Sequence, residues 1–110
     1  MAQLKARIWV DAYRRRLGLL SIPVYVLAHG DDDSGAILVK LSTLDGQAQL
    51  FQRIYDLMQD RRVWDRVFSG PEPDADAFIE KQRNSDTDLW VIEVEDRAGR
   101  HLLDDDGLGG

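Results

Sequence analysis

The stretch Phe78–Asp96 reads FIEKQRNSDTDLWVIEVED and contains a helix end, a short polar turn and the clearest strand pattern in the chain. From residue 89 to residue 95, apolar, β-branched and aromatic residues recur with a period of two, which is typical of a half-buried strand. We predict that Trp90 lies near the centre of the core, because its indole is the largest apolar group in this strand. The opposite face ends in Glu93 and Glu95 and is expected to meet water.

A helix is predicted directly before this strand. Its inner side has the spacing of one helix face, with Ala75, Phe78, Ile79 and Gln82. Asp74 is the expected N-cap, after Pro71 and Pro73 have fixed the chain direction. Asn84 and Ser85 tolerate the turn conformations that end a helix. Because only a short turn follows, the helix should pack against the sheet that contains this strand.

Composition bounds the class of protein. A chain of 110 residues with 44% hydrophobic residues is expected to form one domain with one core. We assign residues 1–103 to that domain and residues 104–110 to a flexible acidic and glycine-rich tail. Cysteine is absent, which excludes disulfides and thiolate metal sites and fits a reducing compartment.

Charge and hydropathy bear on localisation and partners. The first twenty residues are charged throughout, and the longest nearly apolar run, Leu17–Ala28, is too short to span a bilayer. We therefore expect a cytoplasmic protein with no membrane partner. The formal net charge of −6 disfavours general nucleic-acid binding.

The first half of the chain predicts a helix and two strands. The helix is expected over Gln3–Leu20, with two apolar rows: Leu4, Ile8, Ala12 and Leu19 in one, and Trp9, Tyr13 and Leu20 in the other. Ile22–His29 is apolar on both faces and indicates an interior strand. We expect it to form a hairpin with Ala36–Thr43, in which Lys40 and Ser42 point outward.

The segment Gln47–Phe68 has both helical and alternating patterns, so periodicity alone permits helices or strands. The Asp45–Gly46 dipeptide before it is typical of a hairpin turn and favours strands. We predict a second hairpin that turns near Gln59 and Asp60. The predicted fold is a single α+β domain, with a mainly antiparallel sheet of about five strands and two helices in the order α-β-β-β-β-α-β.

Several segments carry a family resemblance. They are WVDAYRRRL at residues 9–17, GAILVKL at 35–41, the isolated Trp64, and DTDLWVIEVEDRAG at 86–99. Together they resemble a family of short bacterial proteins of unknown function, over nearly the whole chain. The resemblance implies an α+β fold with a meander, and it implies no activity. This chain departs from the family pattern at Thr87, where Pro is usual, and near Gln59 and Asp60, where a Gly is usual.

The candidate binding residues are mostly charged and lie around the last helix and strand, with one on the first helix: Arg15, Arg83, Asp86, Asp88, Trp90 and Glu93. Neighbouring carboxylates can do acid–base work when burial separates their pKa values. Alternatively, Asp86 or Asp88 stabilises the turn by accepting backbone hydrogen bonds, with Arg83 as an ion-pair partner.

Two other charged clusters have structural interpretations. Arg14, Arg15 and Arg16 splay around a helix and suit its C-terminal end, although Arg15 projects toward the apolar row and is expected to pair with a carboxylate. His29 and the run Asp31–Asp33 have the ligand types of a cation site, but an exposed turn is the favoured interpretation. We assign no catalytic residue, no metal and no cofactor.

The function predicted from these features is a small non-catalytic binding or protein-interaction module. Its expected partner is a second copy of the chain or an unidentified protein. The alternative is a small hydrolase-like enzyme that uses the carboxylates of Asp86, Asp88 and Glu93 around a cleft.

Overall fold

The computed structural model describes residues 5–104, and the predicted order α-β-β-β-β-α-β is confirmed. The elements are α1 (Ala6–Leu19), β1 (Val24–Ala28), β2 (Ile37–Ser42), β3 (Gln47–Asp56), β4 (Arg61–Pro71), α2 (Glu72–Ser85) and β5 (Trp90–Glu95). The α+β class is confirmed as well, and most strand pairs are antiparallel. Of the predicted tail 104–110, residues 105–110 lie outside the described residues.

The five strands lie in the order β1-β5-β2-β3-β4. The expected hairpin between the first two strands is therefore wrong, because β5 lies between β1 and β2 and runs parallel to β2. For the same reason the first strand is an edge strand and not an interior one. A wide turn over residues 30–35 makes room for β5, and the backbone N–H of Asp31 donates to the carbonyl oxygen of Asp88 at 3.0 Å.

The sheet is covered on both faces. On one face, α1 packs on an aromatic and aliphatic cluster that contains Trp90, which is 2% exposed, together with Ile92 and Val94. On the other face, α2 packs through Ala75 and Ile79 on a smaller cluster. The expectation that Lys40 and Ser42 point to water, and that the Glu93 face is solvated, is corrected because α2 covers this side.

The first helix uses a different apolar stripe from the one expected. Its buried residues are Ala6, Trp9, Val10, Tyr13 and Leu17. Of the predicted rows, Trp9 and Tyr13 are confirmed, whereas Ile8, Leu19 and Leu20 are exposed, and Leu4 lies outside the described residues. The helix has no side-chain cap at its start, and the carbonyl oxygens of Asp33 and Asp32 accept its first N–H groups.

The second hairpin forms where the sequence predicts it. β3 pairs with β4 from Gln47↔Pro71 to Asp56↔Arg61, around a turn that contains Asp60 in the left-handed region. β2 reaches only as far as Gln52 of β3, so the far ends of β3 and β4 project beyond the rest of the sheet. After β4, α2 begins with Pro71 at the N-cap, so Asp74 lies in the first turn and does not cap the helix as expected.

The segment after β5 closes the α1 face. The carbonyl oxygen of His101 accepts a hydrogen bond from the hydroxyl of Tyr13 at 2.7 Å, and its ring packs on Phe51 at 4.6 Å between centroids. Its Nδ1 accepts the N–H of Leu103 at 3.0 Å, which requires that nitrogen to be unprotonated. Burial lowers the pKa of His101, and the nearby Asp104 only partly opposes the shift.

Protonation of His101 is therefore expected to destabilise the fold. Because the pKa is lower in the folded chain than its usual value near 6.5, the unfolded chain takes up more protons as the pH falls below about 6.5. The free energy of unfolding should decrease there, by at most about 1.4 kcal/mol per pH unit from this group. Urea unfolding of the wild type and of His101→Gln between pH 7.5 and 5 measures the effect. An equal slope in both proteins would contradict it.

Candidate functional site

The two edges of the sheet differ in charge. β1 has the sequence VYVLA with no charged residue, whereas β4 carries Arg61, Arg62, Asp65 and Arg66. Charged side chains are a common protection of an edge strand against pairing with another chain. β1 pairs only with β5 among the described strands, and its exposed face includes Leu27, which is 46% exposed. β1 is thus an open, apolar edge.

A groove lies between β1 and α2, and we call it the α2 groove. It has a volume of about 730 Å³, within the usual range of ligand sites. Its floor is apolar, with Leu27, Ile79 and Leu89. Its lining also includes the charged residues Asp76, Glu80, Arg83 and Asp86, together with His29. The combination of apolar and charged lining residues suits an amphipathic ligand.

A second groove lies on the other face of β1, against α1, and we call it the α1 groove. Its volume is about 510 Å³, and its lining includes Val24, Val26, Trp90 and two arginines of α1, Arg7 and Arg14. His29 lines both grooves, because it stands at the end of β1 where they meet. The open edge is therefore flanked by a groove on each face of the sheet.

His29 is held in place from two sides. Its ring lies 4.0 Å from the Trp90 ring between centroids, and its Nε2 lies 2.7 Å from Oδ1 of Asp32. The indole N–H of Trp90 donates in turn to the carbonyl oxygen of Asp31 at 2.7 Å. Trp90 thus joins the turn 30–35 to β5 and supports the end of the open edge.

The α2 side of the sheet is acidic around one buried lysine. The ammonium of Lys40, whose side chain is 3% exposed, lies 2.9 Å from Glu72, 2.7 Å from Asp76 and 3.0 Å from Glu93. Burial alone disfavours the charged lysine, but the hydrogen bonds that its ammonium donates to Asp76, Glu72 and Glu93 outweigh it, so the pKa of Lys40 is raised. This cluster ties α2 to β2 and β5.

The carboxylates of that cluster do not form a metal site. Within residues 5–104, no group of three or more His, Asp or Glu side chains is arranged to hold a metal ion. The ammonium of Lys40 occupies the position between Glu72, Asp76 and Glu93 where a cation would lie. At the edge of this acidic region, Glu95 above all raises the pKa of the exposed Tyr25.

The candidate residues proposed from the sequence do not lie together at one site. Arg83 and Asp86 line the α2 groove, whereas Trp90 lines the α1 groove. Glu93 is 16% exposed in its side chain and is bound to Lys40.

The remaining two candidates have positions of a different kind. Asp88 is exposed, its N–H donates to the carboxylate of Asp86 at 3.0 Å, and its carbonyl oxygen holds Asp31. Arg15 is exposed on α1 and lines neither groove. The carboxylates expected of a hydrolase therefore do not form one group. Glu93 binds Lys40, whereas Asp86 accepts a hydrogen bond within the turn and lines the α2 groove.

Sequence reasoning missed Lys40 and the open edge. The signal for Lys40 was a single lysine inside the apolar run AILVKLS, which indicates a strand buried on both faces with an ion pair. The edge had a weaker signal, because its uncharged sequence is equally typical of an interior strand. Only the strand order distinguishes the two.

The fold and this site define the class of protein as an α+β domain with a mixed five-stranded sheet, one helix on each face and one open edge between two grooves. Residues 4–104 match the family described as protein of unknown function (DUF1491), and the chain belongs to that family. The resemblance noted in the sequence is thereby confirmed. Comparison with curated proteins gives no match.

Solved structures of similar proteins have the same fold. A crystal structure of a DUF1491 family protein from Caulobacter crescentus is 39% identical, with a TM-score of 0.82 over 93% of this chain and 94% of that one. An NMR structure of a DUF1491 family protein from the same organism is also 39% identical, with a TM-score of 0.81 over 94% of each chain. A solution structure of a protein from A. tumefaciens is 27% identical, with a TM-score of 0.73 over 86% of each.

Regarding membranes, none of the helices within residues 5–104 has the length and apolar character needed to cross a bilayer.

Proposed function

We propose that the protein is a non-catalytic interaction module that binds an extended segment of a partner protein as an added strand along β1. One observation carries the proposal: β1 is an uncharged edge strand with an open groove on each face. In this mode of recognition, backbone hydrogen bonds supply affinity and pockets for alternate side chains supply specificity.

The two grooves suit the geometry of an added strand. Successive side chains of a strand point to opposite faces of a sheet, so alternate residues of the partner would enter the α2 groove and the α1 groove. Leu27, Ile79 and Leu89 offer apolar contact in the α2 groove, and Val24 and Val26 offer it in the α1 groove.

Charge favours a basic residue in the partner segment. The lining of the α2 groove carries Glu80 and Asp86 against Arg83, and Asp76 there is already paired with Lys40. The whole chain has a formal net charge of −6, which speeds association with a cationic segment at low salt. We therefore infer a partner segment of alternating apolar residues with lysine or arginine on the α2 side.

Selection from a displayed library of random peptides tests the proposal. The expected result is an enriched extended sequence of alternating apolar residues with a basic residue on one face, whose binding shifts the amide resonances of residues 24–28. No enrichment, or shifts confined to other elements, would contradict it.

Leu27→Lys is expected to weaken such a peptide by about tenfold or more, because it adds a charge to the open edge and removes apolar contact. Leu19→Lys is the matched control, since Leu19 is 79% exposed at the end of α1 and lines neither groove. Fluorescence anisotropy of a labelled peptide measures both. Equal weakening by the two variants would contradict a site at β1.

A second copy of the chain is the other partner expected from the sequence. Sedimentation equilibrium of the wild type and Leu27→Lys separates the two cases. A dimer that Leu27→Lys dissociates would identify the added strand as β1 of a second copy, and it would overturn the proposal of a different partner protein.

A further inference from the structure

Arg53 on β3 has unusual surroundings. Its guanidinium lies over the rings of Trp9 and Trp64, at 5.7 Å and 5.9 Å from their centroids. The two indoles are themselves in contact, with centroids 5.2 Å apart. Stacking on two aromatic rings fixes the plane of the guanidinium and holds it partly out of water. This cation is therefore positioned before any ligand arrives.

No carboxylate neutralises that cation. Within residues 5–104, neither Arg53 nor its neighbour Arg62 forms an ion pair. Burial lowers the pKa of Arg53 to about 10, and the positive charge of Arg62 contributes to the shift. A partly buried charge without a counter-ion costs free energy. Such a cost is typical of a site prepared for a charged ligand.

A small cavity is lined in part by Arg53 and Arg62. Its volume is about 230 Å³, and it is lined by Lys5, Ala6, Asp33, Ser34, Gly35, Arg53 and Arg62. Asp33 lies 3.5 Å from Lys5 and offsets one of the positive charges. Two positive charges remain, and Lys5 and Ala6 at the start of α1 line the same cavity. The size is below that of usual organic-ligand sites and suits a small ion.

We propose that this cavity binds a phosphate group, as free phosphate or as a phosphomonoester, between the guanidinium groups of Arg53 and Arg62 with Lys5 at its rim. Guanidinium groups bind phosphate oxygens through paired charge-assisted hydrogen bonds. The site lies on the α1 side at the base of the projecting β3–β4 hairpin, and it shares no lining residue with the two grooves beside β1. It is independent of the proposed function.

Titration of the whole protein with inorganic phosphate and with AMP, each at constant ionic strength, tests the site. The indoles of Trp9 and Trp64 lie under Arg53, so binding should change the tryptophan fluorescence with saturation, and calorimetry should give the same midpoint. Saturation by both ligands indicates a site for the phosphate group. Saturation by inorganic phosphate alone assigns free phosphate, and saturation by AMP alone assigns a phosphomonoester.

Variants locate the ligand. Arg62→Gln and Arg53→Gln are each expected to weaken binding about tenfold, the loss typical of one charge-assisted contact. Arg66→Gln is the matched control, because it removes the same charge from the same strand outside the cavity. Arg62→Gln leaves both stacked rings in place, so it remains informative if Arg53→Gln unfolds. Absence of saturation by either ligand, or equal weakening by Arg66→Gln, would overturn the proposal.

Discussion

Lys40→Met is expected to lower the free energy of unfolding by about 3 kcal/mol, because removing one member of a buried ion cluster leaves uncompensated charge. The substitution keeps an apolar stem of similar length but leaves Glu72, Asp76 and Glu93 together without a cation. Glu93 should suffer most, because its side chain is the least exposed of the three at 16%. Asp76 is 55% exposed and can turn to water, which limits the total loss.

Urea unfolding of the wild type and Lys40→Met measures this loss. Lys81→Met is the matched control, because Lys81 is exposed on α2, and such surface changes are usually within about 0.5 kcal/mol of neutral. A variant as stable as the wild type would show that the cluster contributes no net stability. In that case desolvation of the lysine offsets its three contacts, as happens for some buried ion pairs.

Gly30→Ala is expected to destabilise the protein by about 3 kcal/mol, at the upper end of the usual cost of overpacking. A Cβ at Gly30 would overlap the carbonyl oxygen of Asp88 and would stand 2.6 Å from Cδ1 and 2.7 Å from the backbone nitrogen of Trp90. Backbone atoms cannot move aside as a side chain can. Relief would require the turn 30–35 to leave β5, with loss of the hydrogen bond from the Trp90 indole to Asp31.

Gly18→Ala provides a control of opposite sign. Gly18 lies inside α1, and a Cβ there would meet nothing within 4 Å. Alanine in a helix is favoured over glycine by roughly 0.5–1 kcal/mol, so this variant should be more stable than the wild type. Thermal and urea unfolding measure both variants. A Gly30→Ala protein with wild-type stability would show that the turn is not packed against β5.

Local patterns predicted the elements of this fold but not their arrangement. The period of two in β5 and the Asp45–Gly46 turn are properties of neighbouring residues, so the strand and the hairpin could be read directly from them. The position of β5 between β1 and β2 is a property of distant segments. An uncharged strand before an acidic turn is compatible with a hairpin and equally with a gap that another strand fills.

The candidate sites show the same division. Trp90 was identified because a large aromatic residue in an alternating strand has one expected place, the core. Glu93 was expected in water because only one face of its strand carries a continuous apolar set, and the sequence does not reveal that α2 covers the other face. Nothing in the sequence around Arg53 indicates a site, because its surroundings depend on two tryptophans that are not its neighbours in the chain. Trp64 pairs with Arg53 across the β3–β4 hairpin, and Trp9 lies on α1.

The place of β5 in the sheet has a consequence for synthesis of the chain. β1 has β5 as its neighbour in the sheet, and β5 is the last of the strands within residues 5–104 to leave the ribosome. The meander of β2, β3 and β4 can complete its own two pairings as soon as β4 emerges, although β2 still lacks its other neighbour, β5. The apolar sides of α1 and β1 stay unpaired with the sheet until residue 95 has been made. Segments whose apolar surface and strand edges stay unpaired during synthesis are prone to aggregation. Nascent chains stalled before Trp90 should therefore hold a folded meander beside an unfolded amino-terminal segment.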